Sequence, residues 1–91
     1  MIIVSQDKTK IVNFDNIAHI FISKDSEKHF LIEYGKMTGT SGLLGVYSTE
    51  KRAKEVLQEI ISRYEYAQRN LADSNDTSPF NEVFVYKMPL E

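Results

Sequence analysis

Eleven residues, GKMTGTSGLLG from Gly35 to Gly45, hold all four glycines of the chain together with Lys36, Thr38, Thr40 and Ser41. Glycines interleaved with a lysine and hydroxyls can cradle a phosphate, because unhindered backbone N–H groups converge on its oxygens while an ammonium neutralises them. The spacing does not follow the phosphate motifs. A P-loop needs its Gly-Lys pair to open a helix and to be followed by Ser or Thr. Gly35-Lys36 instead has Met37 after it and Phe30 at the place of the first glycine. Gly39-x-x-Gly42-x-x-Gly45 resembles a doubled GXXG clamp for nucleic acid, yet Thr40-Ser41 and Leu43-Leu44 lack the basic character of that module. The stretch therefore reads first as a hairpin loop, with Gly39 and Gly42 at positive φ and Gly45 marking a bulge or a close backbone approach. The rival expectation is a mobile loop that closes on a small ligand, a nucleotide or a partner through Lys36, Thr38, Gly39, Thr40, Ser41 and Gly42.

Other chemistry is sparse. His19 and His29 are the only histidines and there is no cysteine, so a thiolate metal site is excluded and no metal or other cofactor is expected. If Ser23 pairs with Lys28 in a hairpin, His19 faces Ile32, His29 faces Ile22, and the two rings lie on opposite sides of the sheet. A slip of one residue would bring them to one side. Glu33 and Glu82 are acidic residues on expected strands, where a carboxylate more often discourages aggregation than moves protons. No GxSxG or comparable nucleophile signature occurs, and no enzymatic activity is expected. Lys51, Arg52, Lys54, Arg63 and Arg69 are interleaved with Glu50, Glu55, Glu59 and Glu65, which makes a solvated face rather than a basic stripe. With a net charge of −2, a protein partner ranks above nucleic acid, whose non-specific affinity comes from excess lysine and arginine.

The elements that must position these residues follow from the hydrophobic period. MIIVS, KIVNF, IAHIFIS (17–23), HFLIEY (29–34) and LLGVY (43–47) read as five strands, with Asp15-Asn16 a turn or bulge and KDSEK a hairpin connection. From Ser48 the period changes to 3.6. Ala53, Val56, Leu57, Ile60, Ile61, Tyr64, Ala67 and Leu71 then fall on one face of a helix from Thr49 to about Leu71, capped by Ser48 or Thr49. A final strand, NEVFVYKMP (81–89), is apolar on both faces and is expected inside the sheet or under a partner. The order is β-β-β-β-β-α-β in one domain spanning residues 1–91. The expected fold is α+β: a bent antiparallel sheet of five or six strands with one long helix packed on one face.

The helix, roughly 33 Å long at 1.5 Å per residue, exceeds strands of this length. Its last turns either overhang, making Tyr64, Tyr66 and Leu71 candidate oligomer contacts, or fray after Tyr66. Because one helix cannot cover both sides of a sheet, a homodimer is expected. The longest apolar runs fall far short of the ~20 residues that span a bilayer, and MIIVSQDKTK lacks the charged and long apolar regions of a secretion signal. A cytoplasmic protein without membrane association is expected.

The phrases IIVSQDKTKIVNFDNI, LGVYSTEKRAKEVLQEI and VFVYKMP together resemble a group of small uncharacterised proteins of Gram-positive bacteria and their phages or prophages. The resemblance covers most of the chain outside SKDSEKHF and ADSNDTSPFN. Lys51 departs from the group's usual Glu. The group carries no activity to transfer, and the resemblance implies context alone: a compact cytoplasmic accessory protein of the kind carried on mobile elements, acting by binding.

Overall fold

The computed structural model describes residues 1–72 and 85–91, with side chains for 1–69 and 85–91. Among them lie β1 (Ile2–Val4), β2 (Ile11–Asn13), β3 (Ile17–Ser26), β4 (His29–Lys36), β5 (Ser41–Tyr47), α1 (Glu50–Ala72) and β6 (Val85–Lys87). This is the expected α+β class, with one helix packed on a sheet. The strands form two three-stranded sheets, ordered β2-β1-β6 and β3-β4-β5. All pairings are antiparallel except β1 with β6, which run parallel. A parallel neighbour requires a long crossover, and the chain returns to β1 only after α1. The single antiparallel sheet expected from the sequence is thus divided, and β6 takes an edge beside β1 instead of an interior place. Tyr86 and Met88 are buried while Lys87 is exposed, so the described part of β6 has one apolar face. Glu82, Val83 and Phe84 of the expected final strand lie outside the described residues.

Local polar bonds shape the turns. Between β1 and β2, Asp7 Oδ1 accepts the Ser5 hydroxyl at 2.7 Å and both the backbone N–H and hydroxyl of Thr9 at 3.0 and 2.7 Å. These donors, those of Thr9 foremost, hold the Asp7 carboxyl down at about 2. The Asp15-Asn16 turn is a short 3-10 helix, Phe14–Asn16, in which Asn13 Oδ1 caps the Asp15 N–H at 3.0 Å.

The β3–β4 register differs from expectation. Ile22 pairs with Ile32, Ser23 with Leu31 and Ser26 with His29, so β3 extends three residues further and Glu27-Lys28 alone make the turn. This register sets Ile20 and Ile22 against Tyr34 and Ile32 on the helix side, where a shift by one residue would turn them all to solvent. Lys24 then stays within the strand, its ammonium 5.7 Å from the centre of the Phe30 ring. One extra residue at Ala18 lets Ile17 and Ile20, three positions apart, both turn inward. A second bulge falls at Asp25, and a third at Leu44 in β5.

α1 begins where expected, with Thr49 Oγ1 accepting the Arg52 N–H at 3.1 Å. Ala53, Val56, Ile60 and Ala67 are buried, and Leu57 and Tyr64 partly so. Ile61, on the rim of the stripe, is 39% exposed. Ala53, Val56 and Ile60 of the helix join Ile32, Tyr34, Leu44 and Tyr47 from one sheet and Ile3, Val12, Tyr86 and Met88 from the other in one core. Full burial of side chains such as Ile60 and Val56 contributes roughly 1.5–3 kcal/mol each.

Candidate functional site

The glycine segment folds as the β4–β5 hairpin. Lys36 N–H donates to Thr40 O at 2.8 Å and Gly39 N–H to Lys36 O at 3.0 Å, closing a turn around Met37, which is 87% exposed. Gly39 has φ +92, a conformation that a side chain strongly disfavours. Gly42, expected at positive φ, lies within β5 and is required for a different reason: the Tyr34 ring covers it, and a Cβ there would fall 2.5 Å from the phenolic oxygen. The hydroxyls of Thr38 and Thr40 lie 3.3 Å apart, and Ser41 pairs with Gly35 across the strands. Of the six proposed contact residues, Lys36 lines a cleft of about 500 Å³ with Thr9, Lys10, Asn13, Asn16 and Tyr34. That cleft joins the base of the hairpin to β2, and its lining includes two lysines.

At the helix end, the Tyr64 ring packs 4.6 Å from that of Phe14 and is partly buried, so it is committed within the chain. Tyr66 is 50% exposed and lines a groove with Glu59, Arg63 and Tyr86. Leu71 belongs to α1, but its side chain lies outside the described residues.

Strongly shifted phenols occur in the core. Tyr86 Oη donates to Glu59 Oε2 at 3.0 Å, and burial, then that bond, push its pKa far up. Tyr47 donates to Pro89 O at 2.8 Å and is pushed up to about 12, chiefly by burial. Both act as fixed donors. The observed β3–β4 register decides between the two alternatives open from sequence and places His19 and His29 on the same face. His19 pairs with Gly35, six positions along β4 from His29, which separates them by roughly 20 Å. Among the described residues no group of three or more His, Asp or Glu side chains is placed to hold a metal ion, and no helix is long and apolar enough to cross a membrane.

The feature that sequence reasoning missed is the edge of β3. Among the described strands, this ten-residue strand has β4 as its one neighbour. Among the described residues its far edge makes no backbone hydrogen bond. Its outward side presents His19, Phe21, Ser23 and Asp25, beside Leu31 and Glu33 of β4 and Leu43 and Val46 of β5. Phe21 is 37% exposed, with its ring stacked 5.3 Å from that of His19, and Ser23 donates to Glu33 Oε2 at 2.6 Å.

The opposite edge of the same sheet is closed. Gln6 N–H donates to Leu44 O at 2.8 Å. Its side-chain amide accepts from Val46 N–H at 2.8 Å and donates to Val46 O, Pro89 O and Leu90 O at 3.0, 3.2 and 2.8 Å. Lys10 Nζ reaches Leu43 O at 3.3 Å. The signal that pointed to β3 was its apolar alternation. It was masked by the polar run KDSEK, which looks like a loop and is largely strand. No protein-family model, curated protein or solved structure matches the chain.

Proposed function

We propose that this chain is a small non-enzymatic interaction module that binds a partner strand along the open edge of β3. The observation that carries the reading is a ten-residue edge strand that, among the described residues, is unpaired on its outer side and carries the half-exposed Phe21. Unpaired strand backbone offers a ladder of donors and acceptors to an added strand, while alternate side chains supply selectivity. Natural sheets commonly guard such an edge with proline, lysine, bulges or a covering loop, and β3 carries Lys24 and a bulge toward each end. β3 contains no proline, and its bulges at Ala18 and Asp25 leave the stretch from His19 to Lys24 regular. The resemblance to small proteins of Gram-positive bacteria and their phages supports a cytoplasmic accessory role for such a module.

A second reading, a small-ligand or nucleotide binder that sequesters its ligand, is favoured by the cleft where Lys36 meets Lys10, Asn13 and Asn16. One titration separates the two. A synthetic strand peptide with the sequence IAHIFISKDS, added to dilute labelled protein, should shift the amides of β3. Unmoved β3 amides, together with shifts at Lys10, Asn13 and Lys36 on adding a nucleotide panel, would replace the first reading with the second.

A further inference from the structure

We infer that the cleft between β2 and the base of the β4–β5 hairpin is a site for a phosphate monoester, its phosphate held by Lys10, Lys36 and Tyr34 and its organic part by the edge of β2. This inference rests on the reading of that cleft as a small-ligand site, names the ligand class, and is independent of what β3 binds.

Lys10 and Lys36 both line the cleft, and among the described residues no Asp or Glu does. Neither lysine makes a salt bridge there with a carboxylate of the described chain. Lys10 Nζ is kept beside β5 by the Leu43 carbonyl at 3.3 Å, a single bond that leaves two of its N–H groups to donate elsewhere. Two ammonium groups bordering one space without a carboxylate favour a ligand that brings negative charge.

A polar group without a partner opens on the same space. Tyr34 is only 7% exposed, with its ring packed over Gly42 of β5. Its hydroxyl makes no hydrogen bond among the described residues, whereas the comparably buried Tyr47 and Tyr86 each donate to an oxygen of the chain. Among those residues every wholly enclosed side-chain oxygen or nitrogen has a partner, so the Tyr34 hydroxyl belongs to the small part of the residue that reaches the cleft. A nearly buried phenol is costly until its O–H is satisfied, and Lys10 stands beside the same stretch of β5. A phosphate oxygen placed there accepts from both.

The strand edge supplies the rest. Ser5 N–H donates to Lys10 O and Phe14 N–H to Met1 O, and between them Ile3 pairs with Val12. Bonded positions alternate in an antiparallel ladder, so the N–H and C=O groups of Ile11 and Asn13 point away from β1, where β2 has no neighbour among the described strands. Ile11, Val12 and Asn13 all line the cleft although Val12 is buried and the other two are exposed, so the edge of β2, rather than one face, borders the space. Asn13 Oδ1 is occupied by the Asp15 N–H, which leaves its NH2 to donate. Adjacent N–H and C=O groups suit the hydroxyls or ring nitrogens of a ligand body, and a volume of about 500 Å³ is that of a small-molecule site.

Titration of labelled protein with adenosine monophosphate, the corresponding ribose phosphate and adenosine, followed by amide shifts, tests the site. Both phosphates should move the amides of Lys10, Ile11, Asn13 and Lys36, and adenosine should not. Tighter binding of the nucleotide than of the ribose phosphate assigns the site to nucleotides, and equal binding assigns it to sugar phosphates. Lys10→Gln and Lys36→Gln should each weaken binding about tenfold, while Lys51→Gln on the helix, an equal loss of charge away from the cleft, should leave it unchanged. Tyr34→Phe keeps the packing and removes a hydroxyl that bonds nothing in the described chain, so it should melt at the wild-type temperature yet bind about fivefold more weakly. Affinity that ignores Tyr34→Phe, or that falls equally with Lys51→Gln, overturns the inference, the phosphate then being held by general surface charge. Adenosine bound as tightly as its phosphate overturns it too, but keeps the cleft as a ligand site. If none of the three moves these amides, the phosphate site and the cleft reading fall together.

Discussion

Tyr47 shows how a single side chain ties the core to the last residues of the chain. Its ring is buried between the sheet and the helix, and its hydroxyl donates to Pro89 O. The folded protein holds the phenol proton more tightly than the unfolded chain, whose ordinary value is 10. The resulting stability is therefore fully present below pH 10 and is lost as pH rises through about 12. Tyr47→Phe should lower stability by about 1 kcal/mol at neutral pH and flatten the alkaline fall, as measured by urea unfolding at a series of pH values. An unchanged alkaline slope would show that Tyr47 is not the titrating group. Asp7 acts with the opposite sign at the other end of the pH scale, its contribution being lost as pH falls through about 2. At this scale the sequence was partly legible. Asp7 in a turn is readable from composition, because short polar side chains bond nearby backbone. Gln6 is not: its partners Val46, Pro89 and Leu90 are distant in the chain, and nothing about a glutamine after a strand announces them.

The helix was the most legible element, since a 3.6-residue period sustained over 23 residues admits one buried stripe. Within the stripe, packing grades the positions. Ile60 is fully buried and Ile61 sits at the rim, so Ile60→Ala should cost roughly 2–5 kcal/mol and Ile61→Ala roughly 1 kcal/mol or less. Thermal melts of the two variants read the difference, and equal losses would mean that the helix is rotated about its axis. Strands were less legible than the helix. The Glu27-Lys28 turn has none of the Asn-Gly or Asp-Gly signature that marks a two-residue hairpin, so KDSEK looked like a loop. Bulges at Ala18 and Leu44 also break the alternation on which strand faces are read. The glycine segment was legible as a hairpin. Gly42, however, is demanded by the Tyr34 ring across the strands, a tertiary cause invisible to local spacing.

Across the whole molecule, the disposition of sheet edges carries the functional account. Sequence alone suggested self-association because one helix cannot cover two sheet faces, and it looked to the helix end for the contact. Tyr64 is packed on Phe14 while Tyr66 stays half exposed, and among the described strands the long unpaired edge lies at β3. That edge emerges only when the strand order is known, because any apolar strand reads alike from sequence whether it is central or at the rim. Hydrogen exchange of the β3 amides with and without the strand peptide IAHIFISKDS tests the claim most directly. Alternate amides between His19 and Lys24, those directed away from β4, should exchange freely in dilute protein and become protected as peptide is added, while the amides bonded to β4 stay slow throughout. Exchange of the outward amides that does not change with peptide would contradict the account.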